Sequence, residues 1–273
     1  MSVSVIMVNH NGLRFTQDAV ASVLRFSPQS ELIVVDNCSS DGDVETLSKT
    51  FPQVTLISLT ENVGFGAGNN RGAKVAKGNF LFFLNNDTFL IEDTPAHLAS
   101  FLDRNPSVAA CGPKLLYPDG AFQLSFGLDP SILNEWVVRR MQRRVRRRDQ
   151  SYGFFLERKY ANRNINWVTG AALMVRRDVF HKVGGFDEAF FIYFEEADLC
   201  RRIRELGFEI RYVPTTTVFH YLGSAAQAAS DKLSHEYRKS QVYYYRKHLS
   251  ILSVLFLRVY LFFRRMKRRS KNS

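Results

Sequence analysis

Phe80-Leu81-Phe82-Phe83-Leu84 runs straight into Asn85-Asn86-Asp87, an unbroken apolar stretch that stops in polar side chains. An apolar run without alternation cannot turn one face to water, so it reads as a strand covered on both sides. Parallel α/β sheets bury their strands in this way and bind ligands just beyond the carboxyl ends. Asp87 stands at such an end. A carboxylate there can hold a hard divalent cation, which in turn can hold phosphate. A plain turn is the other reading, since Asn and Asp tolerate the backbone angles a turn needs.

The preceding residues repeat a strand–helix rhythm. Val3–Val8 reads as a strand, Asn9-His10-Asn11-Gly12 as its turn, and a helix follows to about Phe26 with Ala19, Val23 and Phe26 on one face. Leu32–Val35 is a second strand ending at Asp36, followed by the turn Ser39–Gly42 and a helix to about Phe51. Val54–Leu59 is a third strand, and the Gly/Asn-rich stretch 62–72 reads as a loop entering a short helix closed by Gly78. Alternation of this kind implies right-handed crossovers and a mostly parallel sheet flanked by helices. Asn9, Asp36 and Asp87 then meet along one rim, which suggests a nucleotide pocket. The glycine-rich stretch has neither Gly-Lys-Ser/Thr nor the Gly-x-Gly-x-x-Gly spacing, so a metal at Asp87 is the expected holder of phosphate.

Beyond Asp87 the pattern gives a helix from Thr94 to Asp103 with Pro95 in its first turn and a strand from Ala109 to Tyr117. Residues 119–164 read as an insertion. Within it, Trp136–Arg148 places Val138, Met141 and Val145 on one side of a helix among many arginines, a basic amphipathic pattern suited to a membrane surface. A solvated arm or a nucleic-acid contact is the alternative. Trp167–Val175 is another buried strand. Glu195, Glu196 and Asp198 follow an aromatic run; they suit either the first turn of a helix, where the dipole favours acids, or a general base at the pocket wall. His220 closes the last strand, where a neutral imidazole could join Asp87 on a cation.

The 273 residues carry a net charge of +11, concentrated around residue 141 and in the C-terminal stretch rather than spread evenly. That distribution, with acids at the expected groove, argues against a nucleic-acid-binding protein. The three cysteines have no metal-ligand spacing and suit a reducing compartment. The N-terminus has no signal-peptide pattern. Leu249–Phe263 is apolar but broken by Arg258, and at about 1.5 Å per residue it falls short of a hydrocarbon core of about 30 Å. With Arg264–Arg269 after it, the segment reads as an interfacial helix on anionic lipid.

Several of these segments also resemble a known family. The motifs are Val-Asn-His-Asn at 8–11, Val-Val-Asp-Asn-x-Ser-x-Asp-Gly at 34–42, Asn-x-Gly-Phe-Gly-x-Gly-Asn-Asn-x-Gly at 62–72 and Leu-Asn-Asn-Asp at 84–87. Thr-Gly-Ala at 169–171, Gly-Gly-Phe-Asp-Glu at 184–188, Tyr-Phe-Glu-Glu-Ala-Asp-Leu-Cys at 193–200 and His220 complete the set. In this order they resemble the inverting GT-A glycosyltransferases of family 2 that include bacterial rhamnosyltransferases, across residues 3–222. The resemblance implies a GT-A, Rossmann-like domain over 1–225 and a helical, basic, membrane-associating tail over 226–273.

By that resemblance Asn9, Asp36, Asn69, Asn86 and Asp87 line the nucleotide-sugar site, and Asp87 and His220 hold Mg²⁺ or Mn²⁺. Glu196 is the catalytic base. Asn85 stands where the first Asp of the family's metal motif often stands. Glu196 stands where many relatives carry Asp, which leaves Glu195 and Asp198 open as the base. The implied reaction moves a sugar, L-rhamnose from dTDP-L-rhamnose, to a hydroxyl of a lipid-linked glycan. The expected place is the cytoplasmic face of the plasma membrane. A sugar-nucleotide pyrophosphorylase is the competing enzyme, but Asn9–Phe15 lacks its Gly-rich loop.

Overall fold

A computed structural model of the chain describes residues 1–40, 42–161, 163–221 and 231–269. The elements run in chain order β1 (Val3–Asn9), α1 (Leu13–Phe26), β2 (Glu31–Asp36), α2 (Asp43–Thr50), β3 (Thr55–Ser58), α3 (Phe65–Val75), β4 (Phe80–Leu84), β5 (Thr88–Leu90) and α4 (Thr94–Arg104). They continue with β6 (Val108–Leu116), β7 (Phe122–Gln123), β8 (Phe126–Gly127), α5 (Ile132–Arg146), α6 (Gln150–Tyr160), β9 (Trp167–Val168), β10 (Ala172–Arg176), α7 (Arg177–Lys182), α8 (Glu195–Glu205) and β11 (Glu209–His220). Two C-terminal helices follow, α9 (Asp231–His248) and α10 (Ile251–Arg269).

The main sheet has the order β3-β2-β1-β4-β10-β6-β11-β5, with β7 on β6. Its central strand is the opening stretch of Phe and Leu. Leu81 and Phe83 pack with Ile6, Ile33, Phe180 and Phe186 on one face. Phe80, Phe82 and Leu84 pack with Val5, Met7, Val34 and Leu98 on the other. Burial on both faces is why this strand shows no period-two pattern. Strands β3, β2, β1 and β4 are parallel. Strand β10 then runs antiparallel between β4 and β6, and β5 and β7 also pair antiparallel. The expected mostly parallel sheet is therefore a mixed one. An apolar run such as Ala172–Val175 carries no local mark of its direction, which the topology sets.

Two local expectations also change. Trp167–Val175 is not one strand: Thr169-Gly170-Ala171 interrupts it, and the break matters at the site. The Gly/Asn-rich stretch is mostly helix, with α3 beginning at Phe65 after Gly64 at φ +89°. A Cβ on Gly72 would lie 2.5 Å from the Ile6 side chain, and one on Gly68 3.1 Å from Val8. Here the glycines let a helix lie directly on β1 and β2.

The segment 119–164, expected as an insertion, contributes β7, β8, α5 and α6, with Met141 and Val145 of α5 buried in the core. Helix α9 is packed in as well: Tyr244 and Tyr245 are fully buried against Phe190, Phe194 and Ala197. No helix among the described residues is long and apolar enough to cross a membrane. The expected boundary at 225/226 and the side chains of Arg264–Arg269 lie outside the described residues.

Candidate active site

The carboxyl ends of β1, β2 and β3 lie in register, Asn9 beside Asp36 and Asp36 beside Ser58. Asn9 is fully buried and uses its amide inward. Its Nδ2 donates to Asp36 (2.9 Å) and Asp43 (2.6 Å), and its Oδ1 accepts from Thr16 (2.7 Å) and Asn86 (3.2 Å). The second Asp36 oxygen accepts the backbone N–H of Ser39 at 3.0 Å. Asn9 thus fixes the orientation of Asp36, and Asn86 ties the end of β4 to the same knot by also donating to Thr16 (3.0 Å). Asn69 is buried on α3 and donates to the Phe65 carbonyl at 3.0 Å. The neighbouring loop is held by Asn37, which donates to Asn62 (2.9 Å) and accepts from the Val63 N–H (2.9 Å). Asn37 was not among the expected residues.

A cavity of about 500 Å³ opens beside this rim, and Asp87, His220, Glu195 and Glu196 all line it. Asn9, Asp36, Asn69 and Asn86 are not on its wall. Asp87 Oδ1 lies 3.1 Å from His220 Nε2 because β5 and the end of β11 pair, with Thr88 opposite His220. Donors about 2.1 Å from an octahedral ion and at right angles to each other are about 3.0 Å apart. The pair therefore fits two neighbouring corners of an Mg²⁺- or Mn²⁺-like coordination shell. No cluster of three or more His, Cys, Asp or Glu suited to a metal occurs among the described residues. A two-ligand protein site suits an ion whose other positions are filled by water and substrate phosphate.

Helix α8 presents the acids. Tyr193 and Phe194 just before it have φ of +69° and +72°, a left-handed conformation costly for side chains of this size. This sharp turn drives Glu195 and Glu196 into the cavity wall. Burial raises the Glu196 carboxyl above its ordinary range, opposed by backbone N–H groups of Glu196, Gly170 and Ala197. The Gly170 donor comes from the break between β9 and β10, where Asn85 N–H also reaches the Ala171 carbonyl at 3.0 Å. Glu195 is raised well above the ordinary range by burial, then by Glu196 and Asp198.

Asp198 does not share the cavity. It is fully buried on the other side of α8, where Arg202 (2.7 Å), Lys247 (2.7 Å) and His248 (2.6 Å) surround it. Burial alone would raise its pKa, but His248, Arg202 and Lys247 together lower it to about 2. A carboxylate so fully paired is a poor proton acceptor. Of the three acids, only Glu195 and Glu196 face the cavity.

Two further features were not read from the sequence. Gln123 on β7 faces His220, with Oε1 2.9 Å from Nδ1. Glu135 on α5 lines the cavity and accepts from Arg139 (2.9 Å), Gln241 (2.5 Å) and Tyr245 (3.0 Å), joining α5 to α9. Both links join strands or helices distant in the chain, and neither residue sits in a recognisable motif.

Residues 4–184 match the family described as glycosyl transferase family 2, and residues 153–222 match the N-terminal domain of galactosyltransferase. N-acetylglucosaminyl-diphospho-decaprenol L-rhamnosyltransferase of Mycobacterium tuberculosis is 28% identical over 232 residues, covering 75% of this chain and 70% of that protein. Rhamnosyltransferase WbbL of Escherichia coli is 37% identical over 62 residues, 23% of this chain and 24% of that one. Among solved structures, GalNAc-T7 with UDP, GalNAc and Mn²⁺ superposes with a TM-score of 0.63 at 18% identity, over 90% of this chain but only 50% of that chain. The mannosyltransferase PcManGT of Pyrobaculum calidifontis, with GDP-Man and Mn²⁺, gives 0.58 at 14% identity, over 94% and 78%. At these identities the two structures speak for the fold, a GT-A-like α/β arrangement. The family match extends over more than half of the sequence, from β1 into the turn after α7, and the chain accordingly belongs to glycosyl transferase family 2 and is a glycosyltransferase.

Proposed function

We propose that the chain is a metal-dependent, inverting glycosyltransferase that moves L-rhamnose from dTDP-L-rhamnose to a hydroxyl of a lipid-linked glycan. The observation that carries this reading is the shared cavity: a carboxylate pair on one wall, Glu195 buried and Glu196 half-buried, and the Asp87–His220 pair on another. Glu196 would take the proton from the acceptor hydroxyl as that oxygen attacks the anomeric carbon opposite the diphosphate. A carboxyl raised by burial is a stronger base than one in water, which suits that task. Asp36, oriented by Asn9 and through it joined to Asn86, would meet the base of the nucleotide at the rim beside the cavity, with Asn69 on α3. When bound, Mg²⁺ or Mn²⁺ would offset charge on the departing diphosphate. Rhamnose and a lipid-diphosphate acceptor are supported by the name of the mycobacterial relative, and a divalent metal by the Mn²⁺ in the two solved structures.

A peripheral position on the cytoplasmic face of the plasma membrane belongs to the same proposal. Leu133 and Trp136 of α5 and Leu252, Leu255, Phe256 and Val259 of α10 are exposed. The two helices touch where Arg139 reaches the Tyr260 hydroxyl at 3.5 Å. Apolar side chains so placed among arginines suit an anionic lipid surface.

The test is transfer from a panel of nucleotide-sugars, with and without Mn²⁺, to a polyprenyl-diphosphate N-acetylglucosamine. The proposal expects dTDP-L-rhamnose to be the preferred donor and the product linkage, read by NMR, to be inverted. A retained linkage, or equal transfer with the metal chelated, would overturn it.

A further inference from the structure

Gln123 belongs to a two-residue strand that no motif singles out. Strand β7 pairs with β6, placing Gln123 opposite Leu115, and Leu115 is opposite Val218 on β11. His220, two residues beyond Val218, points to the same face of the sheet. The tight turn before β7 fixes this register: Tyr117 N–H bonds to Ala121 O (2.8 Å), Gly120 N–H bonds to Tyr117 O (2.8 Å), and Gly120 has φ of +80°. As a result two nearly buried side chains from separate strands meet, with 2.9 Å between Gln123 Oε1 and His220 Nδ1.

A neutral imidazole has one N–H and one lone pair, and which nitrogen carries the proton depends on its partners. An amide oxygen only accepts. Opposite Nδ1 it selects the tautomer protonated there, and the lone pair then lies on Nε2. That atom is the one 3.1 Å from Asp87 Oδ1. A proton on Nε2 can serve that carboxylate; a divalent cation bound there takes the proton's place, while the Nδ1 proton stays on the Gln123 side.

We propose that Gln123 is a positioning residue of the metal site, holding the His220 ring in the tautomer that offers Nε2 to a divalent cation. The inference rests on the metal-dependent reading above and adds to it the residue that sets the second ligand. A carboxylate in place of Gln123 would hold the same tautomer but add negative charge next to the ligand. The amide sets the ring without that charge, so the ion is held by Asp87, His220 and the nucleotide diphosphate together.

The test uses the full chain, Gln123→Leu and Gln123→Glu, with Mn²⁺ alone and Mn²⁺ with dTDP. Free Mn²⁺ is read by electron paramagnetic resonance, and the His220 tautomer by nitrogen-15 NMR of the metal-free protein. Loss of an outer-shell partner of a metal-bound histidine typically weakens the metal about 10- to 100-fold. Gln123→Leu should lose Mn²⁺ affinity in that range, move the ring proton toward Nε2, where Asp87 accepts it, and recover transfer at raised Mn²⁺. Gln123→Glu should bind Mn²⁺ at least as tightly as the wild type. A merely structural role would not give recovery by metal. Unchanged Mn²⁺ affinity and tautomer in Gln123→Leu would overturn the inference. So would a tenfold weakening in Gln123→Glu, or a wild-type His220 protonated on Nε2 alone, and these two readouts stand even where the leucine variant does not fold. A wild type that binds no Mn²⁺ with dTDP would instead remove the metal site itself, and the inference with it.

Discussion

Replacing Asp198 with Asn separates an acid that holds the fold from the acids that face the cavity. In the wild type, Asp198 is fully buried with Arg202, Lys247 and His248 around it. Removing one member of a buried charge cluster typically costs about 3–5 kcal/mol. Here the partners keep part of their bonding: Lys247 still reaches Asp187 at 2.6 Å, and Arg202 still donates to the Val183 carbonyl at 2.6 Å. The depressed pKa gives a second measure. A fall from 3.8 to about 2 corresponds to about 2 kcal/mol. Both arguments place the loss at about 2–3 kcal/mol, or about 5–10 °C in Tm for a domain of this size. The sign in pH follows from the direction of the shift. A carboxyl whose folded pKa is lowered stabilises fully above its unfolded value of 3.8, and the contribution is lost as pH falls toward about 2. Urea melts of wild type and Asp198→Asn should therefore differ by that amount from pH 5 to 8 and converge progressively as pH falls from about 4 toward about 2. A gap that is absent at pH 7, or unchanged at pH 3, would refute the reasoning. The folded variant should still bind the donor.

Glu196→Gln should lower kcat by about 10²- to 10⁴-fold while donor affinity, read by calorimetry, stays within a factor of about three of wild type. Because burial raises Glu196, the wild-type rate should rise with pH through an apparent pKa above the ordinary 4.5, and Glu196→Gln should erase that limb. Gly64→Ala combines positive φ with a Cβ that collides with the Phe191 carbonyl; it should cost about 1–3 kcal/mol in denaturant melts and lower activity by moving the loop before Glu195. Leu252→Asp with Phe256→Asp should reduce sedimentation with anionic vesicles several-fold while leaving Tm within about 2 °C, since exposed substitutions cost little. Unaltered vesicle binding would remove α10 from the membrane. These substitutions are cleaner than truncation after His248, because Val254 and Leu257 of α10 are buried against the core.

How much of this could be read from the sequence depended on how local the cause was. Phe80–Leu84 announced a doubly covered strand because burial on both faces leaves its mark in five consecutive residues. The acids at 195–198 also stood out, but their division did not. Glu195 and Glu196 differ from Asp198 because Lys247 and His248 return to that side of α8 from about fifty residues away. Gln123 was invisible for the same reason: its meaning comes from a partner two strands over. The glycines of 62–72 were misread because a glycine that permits a turn and one that permits close helix packing look alike in sequence. Only the neighbour above it, Ile6 for Gly72, tells them apart.

The turn that delivers Glu195 and Glu196 is strained and is held from outside. Tyr193 and Phe194 are held at positive φ, a conformation that costs about 1–2 kcal/mol for each residue with a side chain. The compensation comes from α9: Ser240 donates to the Ile192 carbonyl at 2.8 Å, and Tyr237 packs on both rings, with centroids at 5.5 and 5.1 Å. Tyr244 covers Phe194 from the far side at 5.7 Å. Burying aromatic rings of this size contributes about 1.5–3 kcal/mol each, enough to hold the turn. The same helix supplies Lys247 and His248 to Asp198 and Gln241 to Glu135. Helix α9 therefore fixes α8 at its strained start and at its buried acid, and ties it across the cavity to α5. The segment nearest the exposed apolar helix α10 is in this way also the segment that keeps Glu196 in place.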